Sequence, residues 1–236
     1  MIKYKYDITR YEIKSEKIKE PIKFAVLADI HSVIDEFVIE KIKEENVDAI
    51  LIAGDLVDKN CHKDVTNSSL LLNVLGYIAP VFYALGNHEE MYGVNVLMMD
   101  NISDVKVIIN DDVRFKNVVI GGLAEERPYD EWLNSFEDKH KEFKLLLCHK
   151  PDLYIKKLKD RKIDLTISGH AHGGQIRIFN QGLYAPGQGV FPKYTSGLSK
   201  DDKLLISRGL CNTAPFFIPR LFNRPEIIFL TLSPIL

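Results

Sequence analysis

Five short polar segments of this chain carry side chains that can bind metal ions and move protons. They hold five of the seven histidines, together with aspartates and an asparagine. The segments are Asp29-Ile30-His31, Gly54-Asp55-Leu56-Val57-Asp58, Gly86-Asn87-His88-Glu89, His149-Lys150-Pro151 and Gly169-His170-Ala171-His172-Gly173-Gly174-Gln175. Burying so many ionisable groups is unfavourable without compensating charge, which a pair of divalent cations would supply. Oxygen and imidazole ligands without thiolates suit Mn, Fe or Zn, so the segments indicate a metal site.

Each of these segments directly follows an apolar run that predicts a buried β-strand. The five runs span residues 22–28, 47–53, 81–85, 143–148 and 163–168. In α/β sheets, ligands bind at the carboxyl ends of the strands. We therefore expect the five strand ends to converge on one site.

The spacing within the segments is also consistent with metal binding. In Asp29-x-His31 and His170-x-His172, alternate residues of an extended chain would point to the same side and present two ligands together. A glycine precedes a candidate ligand in three segments, at Gly54, Gly86 and Gly169. Because glycine has no Cβ, the backbone can turn sharply at these positions.

The rest of the chain alternates strand-like and helix-like patterns. Apolar residues at helical spacing predict helices over 33–45, 68–78 and 152–159. Further strands are predicted over 105–109, 118–121, 175–179, 204–207 and 227–232. This pattern predicts a single α/β domain over residues 1–236, with two packed mixed β-sheets flanked by helices. Residues 1–21 are expected to be an N-terminal lead-in strand or extension.

Each motif on its own also has a purely structural interpretation. D-x-H and G-D-x-x-D are typical of turns that end a strand, because Asp, Asn and Gly are the usual turn formers. G-N-H-E can be a helix N-terminus capped by Asn87. The occurrence of all the motifs in order, each after a strand, favours the metal site over these alternatives.

The series D-x-H, G-D-x-x-D, G-N-H-E, H and G-H-x-H resembles the calcineurin-like metallophosphoesterase superfamily. The resemblance runs from about Phe24 to the end of the chain. The extended G-H-A-H-G-G-Q and the tail S-R-G-L…P-R…F-N-R-P-E-I are similar to a branch of small bacterial phosphodiesterases. The implied fold is an αββα sandwich.

The resemblance implies a role for each residue of the motifs. One metal would be held by Asp29, His31 and His172. The second would be held by Asn87, His149 and His170, with Asp55 bridging the two. His88 would act on the substrate phosphate or the leaving oxygen, and Asp58 would orient its ring.

The implied activity is hydrolysis of a phosphate ester, with a diester favoured over a monoester. Two cations about 3.5–4 Å apart can share a water and hold it as the attacking hydroxide. Two divalent ions are expected as cofactors, with Mn favoured and Fe, Zn or Ni as alternatives. A phosphomonoesterase, a non-catalytic scaffold and a peripheral membrane or lipid-binding module are the competing interpretations.

The segment 213–222, TAPFFIPRLF, offers candidate substrate contacts outside the metal motifs. Phe216 and Phe217 could form an exposed apolar patch for a lipid-bearing substrate or a membrane surface. The alternative is that this segment closes the core beside the last strand. Arg208 or Arg220 would add a phosphate contact.

Composition restricts the location and the partners. A net charge of -2, without a basic stripe, gives no support for specific nucleic-acid binding. Three cysteines without a CxxC pair fit a reducing compartment. No apolar run reaches the roughly 20 residues that span a bilayer, and the N-terminus lacks the apolar core of a signal peptide. The expectation is a cytoplasmic protein, with peripheral membrane contact left open. Its substrate would be a lipid-linked or nucleotide diester, a glycerophosphodiester or a cyclic nucleotide.

Overall fold

Two six-stranded mixed β-sheets form the centre of the protein. The structure is a computed structural model and describes residues 6–58, 65–92, 102–139, 141–179, 181–211 and 220–235. The first sheet contains, in spatial order, β1 (Asp7–Ser15), β16 (Glu226–Pro234), β2 (Ile22–Leu27), β3 (Ala49–Ala53), β4 (Val81–Ala84) and β5 (Val105–Ile108). The second contains β14 (Gly197–Leu198), β15 (Leu204–Ile206), β9 (Leu165–Ser168), β8 (Phe143–Cys148), β7 (Val118–Leu123) and β6 (Asp111–Phe115).

Helices and two small hairpins complete the described part of the chain. The helices are α1 (Glu36–Glu45), α2 (Thr66–Gly76), α3 (Asn87–Tyr92), α4 (Asp130–Glu137) and α5 (Pro151–Leu153), which continues into a π-helical turn (Tyr154–Leu158). The hairpins pair β10 (Arg177–Ile178) with β11 (Gln181–Gly182), and β12 (Tyr184–Ala185) with β13 (Gly189–Val190). A short 3-10 turn (His172–Gly174) precedes them.

Three apolar layers hold the sheets and helices together. In β2, Ala25 and Leu27 pack towards α1 and α2, whereas Phe24 and Val26 pack between the two sheets. A third layer lies on the outer face of the second sheet and includes Phe136 of α4. The alternation of side chains along each strand sends neighbouring residues to different layers. The result is a helix–sheet–sheet–helix sandwich.

The parallel strands direct the polar segments to one edge of the sandwich. β2, β3, β4 and β5 run parallel in the first sheet. β7, β8, β9 and β15 run parallel in the second. The residues of β3, β4, β8 and β9 are all buried, because these strands are covered on both faces.

The fold class predicted from the sequence is confirmed, but several element boundaries were wrong. α1 begins at Glu36 rather than at residue 33, because the Asp35 carboxylate accepts a hydrogen bond from Phe37 N–H and caps the helix. The helix predicted over 152–159 is largely a π-helical turn. The strand predicted over 175–179 is reduced to two residues of a hairpin. α4 was missed altogether.

Other features of the chain fit the prediction only in outline. Residues 7–15 of the predicted lead-in form β1, which pairs in parallel with β16 at the edge of the first sheet. The single-domain assignment stays a prediction. Of the helices in the described residues, none combines the length and the apolar composition needed to cross a bilayer.

Candidate metal centre

The carboxyl ends of five strands bring the predicted ligands together. Three groups of side chains have ligand atoms that all lie within 4.8 Å of one another. They are Asp29 with His31 and His172, Asp55 with His149 and His170, and His31 with Asp55 and His88. These residues come from the loops after β2, β3, β4, β8 and β9. The arrangement provides donors for more than one cation in a small volume.

Asp55 lies at the centre of this arrangement. It belongs to two of the three groups, and its Oδ2 is 3.2 Å from His149 Nε2 and 3.7 Å from His88 Nε2. His149 Nε2 is also 3.9 Å from Asp29 Oδ1, so the groups that contain the two carboxylates are neighbours. A carboxylate in this position can contact two adjacent cations.

The backbone that presents these side chains is turned rather than extended. Asp29, His31, Asp55, His170 and His172 all have positive φ, between 43° and 65°. The expectation that Asp29-x-His31 and His170-x-His172 present their ligands from an extended chain was therefore wrong. His170 and His172 instead belong to different groups. Left-handed backbone at non-glycine residues is strained and persists only where surrounding structure enforces it, which is common at functional sites.

A close approach between loops explains the glycine before Asn87. A Cβ on Gly86 would lie 2.2 Å from the backbone nitrogen and the side-chain Oδ1 of Asp55. The loops after β3 and β4 are therefore in direct backbone contact. This contact sets the separation between Asp55 and Asn87.

Buried polar atoms in the site show that its residues fit divalent cations. Neither ring nitrogen of His31 has a hydrogen-bond partner among the described residues, and the same holds for Asn87 Oδ1. His31 is buried, as are Asp29 and Asp55. An unpaired buried polar group is costly, and a cation would satisfy these atoms. Imidazole and oxygen donors without thiolates suit Mn, Fe, Ni or Zn.

The electrostatics of the site also favour neutral imidazoles at two positions. Burial lowers the pKa of His31 to about 3 and that of His170 to about 3. Burial alone would lower the pKa of His149 too, but the Asp55 and Asp29 carboxylates, together with the Ala53 carbonyl, outweigh it and raise this pKa to about 10. The neutral imidazole is the form that binds metal.

His88 is held against Asp55 by its backbone as well as its ring. Its N–H donates to Asp55 Oδ1 at 2.9 Å, and its ring centroid is 4.7 Å from that of His31. Asp58 follows Asp55 in the segment after β3, and its N–H donates to Ser32 Oγ at 3.2 Å. The orienting role of Asp58 stays a prediction.

Glu89 is a residue of this site that the sequence analysis did not single out. Its carboxylate is buried and accepts hydrogen bonds from the N–H groups of Gly86 (2.7 Å), Val57 (2.8 Å) and Asp55 (3.1 Å). One side chain thus ties together the loops after β3 and β4. Burial, followed by the nearby Asp55 charge, raises the pKa of Glu89 to about 7. The signal in the sequence that could have found Glu89 was its position in G-N-H-E, at the first turn of α3.

The candidate substrate residues are placed differently from the metal ligands. Arg208 Nη2 donates to Asp7 Oδ2 and Glu226 Oε1, both at 3.1 Å. Arg220 donates to backbone carbonyls, among them Arg208 O at 2.8 Å and Cys211 O at 3.1 Å. These contacts favour structural roles over the predicted phosphate contact. Phe216 and Phe217 lie outside the described residues.

The sandwich and the donors at its carboxyl edge define an α/β protein with a site suited to divalent metal ions. The chain belongs to the calcineurin-like phosphoesterase family, whose sequence model matches residues 22–174. The matched region contains four of the polar segments in full and the fifth up to Gly174. The resemblance inferred from the motifs is therefore confirmed.

Individual relatives agree with this assignment. An uncharacterized metallophosphoesterase of Campylobacter jejuni is 30% identical, over 96% of this chain and 63% of its own length. The phosphodiesterase YaeI of Escherichia coli is 28% identical, over 90% of this chain and 82% of its own length. The chain thus spans less than two thirds of the length of the Campylobacter relative.

A solved structure supports the fold. The 5′-nucleotidase precursor from Thermus thermophilus aligns with a TM-score of 0.50 and 14% sequence identity. The alignment covers 80% of this chain and 49% of that structure. At this identity the similarity concerns the fold alone.

Proposed function

We propose that this protein is a phosphodiesterase with two divalent metal ions at the edge described above. The metal ligands are Asp29, His31, Asp55, Asn87, His149, His170 and His172. The observation that carries the proposal is that Asp55 belongs to two groups of buried and half-buried donors. The divalent ions supply Lewis acidity, which lowers the pKa of an attacking water and offsets the charge of the phosphate.

The chain's own residues complete the chemistry. The carboxylates of Asp29 and Asp55 are almost fully buried, so the site holds their charge in surroundings of low polarity. His88 lies beside this centre with its ring near Asp55, where it can donate a proton to the leaving oxygen. Asp58 keeps the ring of His88 in the orientation this transfer needs.

The preference for a diester is supported by the name of one relative, the phosphodiesterase YaeI. A phosphomonoesterase is the second candidate, because the same centre can act on both kinds of ester. We propose Mn²⁺ as the native ion, with Fe, Zn or Ni as alternatives. We propose that the protein is cytoplasmic, in keeping with three cysteines that form no CxxC pair.

Hydrolysis of bis-p-nitrophenyl phosphate and p-nitrophenyl phosphate by metal-stripped protein tests the proposal. We expect no turnover until Mn²⁺, Zn²⁺ or Ni²⁺ is restored, and then faster turnover of the diester. Preference for the monoester would replace the diesterase assignment with a phosphatase. Absence of turnover with every metal, in protein that binds two ions, would support the scaffold interpretation.

We infer a lipid-bearing substrate from exposed apolar side chains on segments near the turn that carries His172. We call this set of side chains the apolar rim. It consists of Ile178, Phe179, Val190, Phe191, Leu221 and Phe222. Phe179 is fully exposed and Phe222 is 88% exposed. Leu183 N–H donates to Gly174 O at 3.1 Å, and Arg177 N–H donates to Leu221 O at 3.0 Å, so these segments pack against the turn that carries His172.

Liposome flotation tests whether the apolar rim meets a membrane or a lipid. We expect wild-type protein to float with the vesicles and Phe179→Ser/Phe222→Ser to bind at least about tenfold more weakly. Burial of a phenylalanine contributes about 1.5–3 kcal/mol, and each 1.4 kcal/mol is tenfold in affinity. Tyr77→Ser removes another highly exposed aromatic ring, at the end of α2, and is the control. Equal flotation of all three proteins would remove the rim from the proposal.

A further inference from the structure

The C-terminal segment that enters β16 is joined to the turn carrying His172 through the side chain of Asn223. Asn223 is buried, and its Nδ2 donates to His172 O at 2.7 Å and to Gln175 O at 3.1 Å. Both ends of the glycine-rich turn are therefore tied to a residue some fifty positions further along the chain. This turn includes Gly173, where a Cβ would lie 2.2 Å from Asn223 Oδ1.

Arg220 supports the same turn from a second direction. Its guanidinium donates to Asn223 O at 3.0 Å, to Arg208 O at 2.8 Å and to Cys211 O at 3.1 Å. Cys211 O lies 3.2 Å from His172 Nδ1. A carbonyl can only accept, so Nδ1 carries the proton in this contact. Nε2, which lies 3.5 Å from Asp29 Oδ1, is then the ring nitrogen whose lone pair can bind a metal.

The second candidate metal position, which includes His149, is held by a different part of the chain. His149 Nδ1 lies 2.8 Å from Ala53 O, at the end of the central strand β3. Ala53 is fully buried between the sheets, so this carbonyl is placed by the core itself. The orientation of His149 therefore does not depend on residues 220–223.

We propose that Arg220 and Asn223 are positioning residues for one of the two metal positions, the one formed by Asp29, His31 and His172. They hold the ring of His172 in the tautomer and direction that metal binding needs, and they fix the strained turn around it. Partners of this kind typically change metal affinity by about 10–100-fold. This inference rests on the proposed two-metal site and adds that its two positions depend on different parts of the chain.

Asn223→Asp is the sharpest test, because it keeps the size of the side chain and removes the donor. Metal-stripped protein is titrated with Mn²⁺, and free Mn²⁺ is measured by electron paramagnetic resonance. We expect wild-type protein to bind two ions. Asn223→Asp is expected to bind one of them as wild type does and the other about 10–100-fold more weakly. Arg220→Lys is expected to weaken the binding of the same ion, because one ammonium group cannot reach the carbonyls of Asn223, Arg208 and Cys211 together.

Two further proteins identify the affected position and control for a general loss of stability. In a His172→Ala background, Asn223→Asp should leave the remaining ion unaffected. Asn117→Asp removes an amide donor to Lys17 O at the amino end of β7, opposite the site, and should bind both ions normally. Thermal unfolding confirms that each variant is folded; if Asn223→Asp is not, Arg220→Lys decides.

The outcomes separate this inference from the proposed function. The positioning role would be overturned if Asn223→Asp bound both ions with wild-type affinity, or if it bound both ions equally more weakly. Either result would leave the two-metal site intact. Wild-type protein that binds fewer than two ions would overturn both proposals. The positioning role would be established if Asn223→Asp weakened the binding of one ion only, and if this effect were absent from the His172→Ala background.

Discussion

Asn in place of Asp55 is expected to abolish the binding of both metal ions and to lower turnover by at least about 10³-fold. The substitution keeps the size of the side chain, and its Oδ1 can still accept the His88 N–H, so the fold should persist. It removes the negative charge of the residue that belongs to two of the three groups of donors. Metal ions supply several kcal/mol of transition-state stabilisation, and each 1.36 kcal/mol is tenfold in rate. Metal content by mass spectrometry and turnover of bis-p-nitrophenyl phosphate measure the two effects.

Asp48→Asn is the matched control for this substitution. Asp48 precedes β3, whereas Asp55 follows it, so the two residues lie at opposite ends of the same strand. The Asp48 carboxylate accepts from Lys23 N–H and Lys116 Nζ, far from the candidate ligands. This variant should keep its metals and its activity. Turnover by a metal-free Asp55→Asn protein would show that the assignment of the site is wrong.

Alanine in place of His88 is expected to leave both metals bound and to lower turnover by about 10²–10⁴-fold, the usual contribution of general acid–base catalysis. The reason is that His88 is assigned to the leaving oxygen and not to a metal. Its ring is nevertheless close enough to His31 and Asp55 to share a cation with them. Metal titration of His88→Ala therefore decides between the two roles. Loss of an ion from this variant would make His88 a ligand.

The leaving group provides a second, independent check on His88. p-Nitrophenolate is a stable anion that needs little protonation, whereas an alkoxide needs a proton as the bond breaks. If His88 donates this proton, His88→Ala should impair a diester with an alkyl leaving group more than bis-p-nitrophenyl phosphate. Equal losses for both substrates would assign His88 to stabilising the phosphate charge. His31→Ala, which removes a candidate ligand, should lose metal and serves for comparison.

Much of the fold could be predicted because the apolar pattern of each central strand is local. Residues 49–53 and 81–84 are apolar throughout, as strands covered on both faces must be, and residues 22–27 are apolar except for Lys23. The helix at 130–137 was missed because its apolar face is short. The π-helical turn at 154–158 could not be told from an α-helix, because both have the same composition and nearly the same spacing of apolar residues.

The amino-acid sequence by itself determined which polar residues follow strands and are therefore candidates for one site. Asp29, Asp55 and Asn87 follow parallel strands and so reach one edge of the first sheet. His149 and His170 follow parallel strands of the second sheet and reach one edge of that sheet. Residue types alone also determined the class of ligand atoms, imidazole and oxygen without thiolate. These properties follow from strand order and covalent structure, and they need no knowledge of the loops.

Only the tertiary structure decided how the side chains divide between the groups of donors. His170 and His172 are two residues apart, yet one lies with Asp55 and the other with Asp29. Their left-handed backbone is enforced by contacts from distant parts of the chain, such as Asn223 Nδ2 to His172 O. The three N–H groups bound by Glu89 and the apolar rim at 178–179, 190–191 and 221–222 depend equally on long-range packing. Irregular loops take their conformation from such contacts, which local sequence patterns do not contain.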